Sequence, residues 1–219
     1  GDSDRLAAVT PDRGVVNPNP LFAALYEYLL ETDGGDVVRT VSTTALVDRI
    51  AESAGRTARE TAVGFKWVAD AMDEDTLIGG EESGGFGLTA HLRNKDGVVV
   101  ALVVAAADEA EPLDDRLDRI RTEYGDIVQD RRSIDCPDEH KTDVLDRLDE
   151  ALPDRVAGTA VDRVDRTDGF KLFLVDGLWL LVRPSGTEPK LRIYAEAASK
   201  GRTDALLAAG ESLLRNHIP

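Results

Sequence analysis

The chain has 219 residues, 42% hydrophobic and 31% charged, which suits one large core or two modest ones and excludes wholesale disorder. Its 26 basic and 42 acidic residues leave a formal net charge of −16, excluding nucleic acid, whose phosphates select basic faces. No apolar run approaches the ~18 residues of a membrane-spanning helix, and a single cysteine, Cys136, leaves no intramolecular disulfide and fits a reducing, cytoplasmic setting.

In chain order, Leu6 to Val9 reads as a strand ending in the turn Thr10-Pro11-Asp12-Arg13-Gly14. A helix follows from near Pro20, with Leu21, Phe22, Leu25, Tyr28 and Leu29 on one face, and stops at Gly34-Gly35. Val37 to Val41 is a strand. Ser42-Thr43-Thr44 is expected to cap a helix carrying Leu46, Val47 and Ile50, closed by Gly55. Thr57 to Val63 is a strand, Phe65 to Met72 a helix, and Thr76 to Ile78 a short strand before a glycine-rich loop. Asp96 opens a helix, Gly97 to Ala107, apolar on nearly every side and therefore expected to be buried. Alternating strands and helices predict a doubly wound α/β/α layer domain over residues 1–107.

Residues 108–113 are polar and read as a linker to a smaller α+β domain, residues 114–219, with a mainly antiparallel sheet. Helices are expected from Leu113 to Tyr124, Glu139 to Ala151 and Asp204 to Asn216. Strands are expected at Ile127 to Asp135 and Lys190 to Ala197, with a hairpin whose arms, Phe170 to Val175 and Leu178 to Val182, meet at Asp176-Gly177.

Four segments carry chemistry. Arg183-Pro184-Ser185-Gly186-Thr187 joins two strands and offers a guanidinium fork, two hydroxyls and a glycine, the donors a phosphate dianion takes, with Arg192 adding charge from the far side. An exposed hairpin turn is the other reading. Gly79 to Gly87 contains Glu81, Glu82 and Ser83; carboxylates repel phosphate but, with a hydroxyl, suit sugar hydroxyls, unless the segment is simply a surface loop. Lys66, between Phe65 and Trp67 at a helix start, is either a phosphate contact or proton shuttle with its pKa lowered by burial and the helix dipole, or a surface lysine beside a core tryptophan. Asp2 and Asp4, two apart at the start, are either hard-cation ligands of the kind Mg²⁺ takes or ordinary solvated acids.

The acids are dispersed, so an acidic interaction tail is a poor reading. Asp (27) outnumbers Glu (15) and Arg (20) outnumbers Lys (6), and the scarcity of Lys favours a halophilic protein of a salt-rich cytoplasm over an ordinary soluble acidic one. Neither Met nor an apolar leader opens the chain, and the start reads as a cut inside a longer protein.

In this order the segments resemble the α-D-phosphohexomutase family, the phosphoglucomutases and phosphomannomutases. The resemblance rests on Gly1-Asp2-Ser3-Asp4-Arg5, Thr40-Val41-Ser42-Thr43-Thr44, Gly64-Phe65-Lys66, Gly80-Glu81-Glu82-Ser83-Gly84-Gly85 and Arg183-Pro184-Ser185-Gly186-Thr187-Glu188-Pro189. It implies the end of a second domain, then the third and fourth, of a four-domain enzyme that interconverts hexose 1-phosphate and hexose 6-phosphate. The route runs through a phosphoserine and a bisphosphate intermediate. It further implies Mg²⁺ on Asp2 and Asp4, Arg5 beside the phosphoserine, and Lys66 near the transferring phosphate. Glu81 and Ser83 would hold sugar hydroxyls; Arg183, Ser185, Gly186 and Thr187 would hold the idle phosphate. The partners implied are the hexose phosphate and upstream domains of the same polypeptide, with neither nucleic acid nor membrane. The phosphorylated serine of the first domain has no counterpart here, so these residues alone are expected to be inactive. Gly85 replaces the histidine of some mannose-active relatives and leans the reading toward glucose phosphate over the mannose or glucosamine alternatives. Outside this family, a non-catalytic phosphosugar-binding module and an acidic interaction protein stand as rivals.

Overall fold

Residues 2–218 are described by a computed structural model, and they fall into two units that divide between Gly125 and Asp126. The first opens with a small hairpin, β1 (Val9–Thr10) and β2 (Gly14–Val15). It continues through α1 (Pro18–Leu30), β3 (Asp36–Thr40), α2 (Leu46–Ser53), β4 (Ala58–Thr61) and α3 (Phe65–Ala71). β5 (Thr76–Gly80), β6 (Phe86–Leu88), α4 (Gly97–Ala110) and α5 (Leu113–Tyr124) complete it. The sheet runs β4-β3-β5-β6, parallel except for β6.

Helices cover both faces of this sheet, because β3 is apolar on both sides and Val37 and Val38 must each be buried. Phe65, Val68 and Met72 pack on Val38 from the α3 side. β5 runs on into Gly79 and Gly80, two residues past the expected strand, for a steric reason. A Cβ on Gly79 would lie 2.5 Å from Val68, and one on Gly80 2.6 Å from the Phe22 ring of α1. Adjacent strand residues point to opposite faces, so the pair admits a helix on each side, and the α/β/α layering stands.

Several local expectations change. The first strand holds only Val9 of the predicted 6–9, and β6 lies within what reads as loop. Ser42, Thr43 and Thr44 are wholly buried; Ala45 occupies the N-cap of α2, and Thr44 Oγ1 accepts from a helix amide, Leu46 N at 3.1 Å. α4 is not buried all round: Val98 and Leu102 are 61% and 69% exposed, and Val100 and Ala107 face inward. α4 also extends through Ala110, so the expected linker is mostly helix. α5 belongs with the first unit, where buried Arg116 pairs with Glu27 of α1 and with Glu31 at its C-cap, and Arg119 with Glu27. Like charges on α1 needed those guanidiniums, a pairing no local pattern announces.

The second unit comprises β7 (Val128–Asp135), α6 (Asp138–Glu150), β8 (Arg155–Val156), β9 (Thr159–Asp165), β10 (Phe170–Leu174), β11 (Trp179–Pro184), β12 (Lys190–Ala197) and α7 (Lys200–Arg215). Its sheet is antiparallel throughout in the order β7-β12-β11-β10-β9-β8. Leu172, Leu180, Val182, Leu191 and Ile193 bury one face against Val144 and Leu148 of α6 and Leu206, Leu207 and Leu214 of α7. Each such side chain contributes roughly 2 kcal/mol by leaving water. The Asp176-Gly177 turn forms as expected, with Gly177 at φ +78°. β8 and β9 pass unread in the sequence because their polar stretch lacks an apolar alternation.

Candidate functional site

Candidate functional side chains cluster separately in each unit. In the second, β11 and β12 are joined by the turn 185–189. Register places Arg183 opposite Arg192, and Ser185, two residues past Arg183, on the same face. Ser185 N donates to Lys190 O at 2.9 Å and Lys190 N to Glu188 O at 2.7 Å, closing the turn. From beneath, Lys141 of α6 donates to the carbonyls of Ser185 and Glu188, both at 2.7 Å, and pairs with Asp138 at 2.6 Å. In a trans peptide the N–H points opposite to the preceding carbonyl, so holding Ser185 O inward turns the Gly186 amide outward. The amides of Gly186, Thr187 and Glu188 make no hydrogen bond with a described residue.

Ser185 is 3% exposed and its hydroxyl has no partner among the described residues, a buried polar group left for something else to satisfy. Arg183 gives its Nε to Asp168 Oδ2 at 2.9 Å, and its two terminal nitrogens carry no partner among the described residues. Arg192 is tied differently, its Nη2 on Glu188 Oε2 at 2.6 Å, with Tyr194 alongside. Gly186 has nothing within 4 Å of where a Cβ would stand, so an open space lies over the free amides. Freed donors of this kind match an anion with several oxygens.

In the first unit, residues 2–6 are wedged between the glycine loop and the start of α4. Leu6 N donates to Gly84 O and Gly97 N to Ser3 O, both at 2.9 Å; a Cβ on Gly97 would lie 2.5 Å from Arg5 O. The loop is a tight turn, with Glu81 N on Gly85 O at 3.0 Å and Gly84 at φ +86°. Glu81 is 8% exposed; burial raises its carboxyl above the usual range, opposed by Lys95, by Ser83 and by the Gly64 amide. Ser83 Oγ lies 3.3 Å from Glu81 Oε2. Glu82 sits on the buried hydroxyls of Thr40 and Thr43, and Thr43 Oγ1 accepts its amide at 3.1 Å. That seat is what the 40–44 segment supplies.

Lys95 joins these parts. Its ammonium lies 2.8 Å from Asp4 and 4.0 Å from Glu81, and it holds the Asp4 carboxyl below the usual range. Lys66 departs from expectation: it is exposed, its ammonium 4.5 Å from the centroid of Trp67, itself 46% exposed. Neither a buried shuttle nor a core tryptophan is found there. Arg5 is exposed and 3.9 Å from Asp4, and Gly1 lies outside the described residues. No group of three His, Cys, Asp or Glu side chains suited to a metal occurs among the described residues. Asp2 and Asp4 are the right oxygen donors for a hard cation but too few to enclose one, and Asp4 is turned to Lys95.

The structure thus brings Asp4, Glu81 and Ser83 together in one unit, and Arg183, Ser185, Gly186, Thr187 and Arg192 in the other. Lys95, Lys141, Asp168 and Glu188 were not singled out from sequence. With only six lysines in the chain, the scarcity of the residue was the available signal for two of them.

An α/β/α layer unit is followed by an antiparallel α+β unit whose Arg183-Pro184-Ser185-Gly186-Thr187 turn presents donors suited to an anion. A family model described as "Phosphoglucomutase/phosphomannomutase, alpha/beta/alpha domain III" matches residues 17–124, and one for the C-terminal domain of the same family matches residues 134–210. A probable phosphoglucosamine mutase from Methanothermobacter thermautotrophicus is 31% identical over 220 residues, covering 100% of this chain and 46% of its own. A phosphopentomutase from Thermococcus kodakarensis is 30% identical over 94% of this chain and 45% of its own. The crystal structure of a putative phosphomannomutase from Thermus thermophilus superposes with a TM-score of 0.79 at 31% identity, covering 98% of this chain and 44% of that one. The chain belongs to the phosphoglucomutase/phosphomannomutase family and carries its third and fourth domains. It spans under half the length of these relatives.

Proposed function

We propose that the chain is the C-terminal portion of a phosphohexomutase, an isomerase that interconverts hexose 1-phosphate and hexose 6-phosphate. The observation that carries this reading is the donor set at the 185–189 turn: a half-tied Arg183, an unpartnered buried Ser185 hydroxyl and three free amides. In the proposed reaction a phosphoserine from the upstream segment gives its phosphoryl group to one sugar hydroxyl. The bisphosphate reorients, and the other phosphoryl group returns to the serine. Each end of the sugar must meet the same reactive group, so a separate grip is needed for the idle phosphate. Arg183, Ser185, Gly186 and Thr187 fill that role, with Arg192 as flanking charge. Glu81 accepts, and Ser83 donates or accepts, hydrogen bonds with the sugar hydroxyls. Lys66 and Arg5 supply cationic charge to the transferring phosphate.

Asp2 and Asp4 would hold an Mg²⁺ ion together with upstream residues of the same polypeptide, and the ion would neutralise charge on the transferring phosphoryl group. The relatives are named for glucosamine, pentose, glucose and mannose phosphates and do not single out one sugar; a hexose phosphate is our reading, with Gly85 favouring glucose. No helix among the described residues is long and apolar enough to cross a membrane, and the buried free thiol of Cys136 suits a reducing cytoplasm.

Titrating glucose 1-phosphate into the 219-residue chain tests the grip, and binding by the parent that is clearly weakened in Arg183→Ala is the expected outcome. Turnover measured with and without an upstream segment then separates a mutase from a phosphosugar-binding module. Turnover only when both parts are present supports the mutase; binding with no turnover in either state supports the module.

A further inference from the structure

The β9–β10 turn reaches across the sheet at Arg183. Phe170 pairs with Val182, which brings Gly169 alongside Arg183. Gly169 has φ +84°, and a Cβ there would lie 2.2 Å from Val182 O and 2.8 Å from Arg183 Cα. Only glycine permits that approach. Its effect is to deliver the preceding residue, Asp168, to the Nε of Arg183 at 2.9 Å, in a pair whose side chains are 9% and 16% exposed.

We propose that Asp168 is a positioning residue for phosphate binding, acting through Arg183. This rests on the reading of the 185–189 turn as the phosphate grip. An arginine side chain has much rotamer freedom to lose on binding an anion. By holding Nε, Asp168 removes that freedom beforehand and leaves the two terminal nitrogens as a fixed fork for a bidentate contact. Its own negative charge opposes the phosphate. Orientation and electrostatics therefore pull in opposite directions, and a variant that keeps the acceptor oxygen while removing the charge tells them apart.

The test measures inorganic phosphate and glucose 6-phosphate binding to the 219-residue chain by calorimetry at constant ionic strength. Asp168→Ala should weaken both by up to about tenfold, the cost of one newly immobilised side chain. Asp168→Asn, which can still accept from Nε, should bind at least as well as the parent. In an Arg183→Lys background, where no Nε exists, Asp168→Ala should cause no loss, and removal of the opposing charge should leave binding equal to or tighter than that of the lysine variant alone. Should Asp168→Ala fail to fold, Asp168→Ser replaces it, its hydroxyl being too short to reach Nε. Parent-like binding by the Ala variant, equal weakening by Ala and Asn, or the same loss in the lysine background would each overturn the positioning role. If Arg183→Ala leaves phosphate binding intact, or the parent binds none, it is the phosphate-grip reading that fails, and the inference with it.

Discussion

Arg183 and Arg192 stand directly opposite one another on β11 and β12, each with its own carboxylate. Two like charges in that position repel unless each is offset. Asp168 takes the Nε of Arg183, whereas Glu188 takes a terminal nitrogen of Arg192, so only the first arginine keeps its whole fork. Arg183→Ala should therefore weaken phosphate binding by about 2 kcal/mol, the scale of lost charge-assisted bonds. Arg192→Ala should cost clearly less, as expected of a general field effect. Titration of both variants decides it; equal losses would contradict the distinction.

Lys141 is 9% exposed and serves two carbonyls of the turn. Lys141→Met fills similar volume but strands both. We expect a loss of about 2–4 kcal/mol in unfolding free energy, from two charge-assisted hydrogen bonds and the desolvated carbonyls they leave. Urea unfolding reads this as a lower midpoint with unchanged slope. Phosphate affinity should fall in parallel, because the Ser185 carbonyl is no longer held inward and the Gly186 amide no longer outward. An unshifted midpoint would remove Lys141 from the turn's support.

Burial raises the Glu81 carboxyl, against the pull of Lys95. In the window between its unfolded and its higher folded value, the folded chain binds more protons, so rising pH costs stability there. Glu81→Gln carries no such proton. Relative to the parent, it should gain stability as pH rises through that window, and remain at least as stable at pH 7, while binding sugar phosphate more weakly. Unfolding free energies of the two chains from pH 4 to 7 check the sign, and a pH-independent difference would count against it.

Net charge −16 and an Arg-rich, Lys-poor balance carry the halophilic reading. Self-repulsion among dispersed carboxylates is screened by salt, whereas exposed ion pairs such as Arg166–Asp149 are weak and lose little by screening. Thermal unfolding should rise from dilute buffer into molar KCl. A maximum in dilute buffer would show that the ion pairs outweigh the repulsion.

What the residue order decided on its own is local. The Arg-Pro-Ser-Gly-Thr turn, the Asp176-Gly177 hairpin and the alternation behind the α/β/α layers are readable because each depends on neighbours within a few positions. The family follows from those strings. Tertiary structure decided the rest: that Asp168 and Lys141 serve the turn across 15 and 44 residues, that Lys95 reaches Asp4, that Lys66 is exposed, and that α5 joins the first unit. Sheet register and helix packing set those pairings. A carboxylate's value as a partner depends on which strand lies beside it, and no stretch of neighbouring residues carries that information.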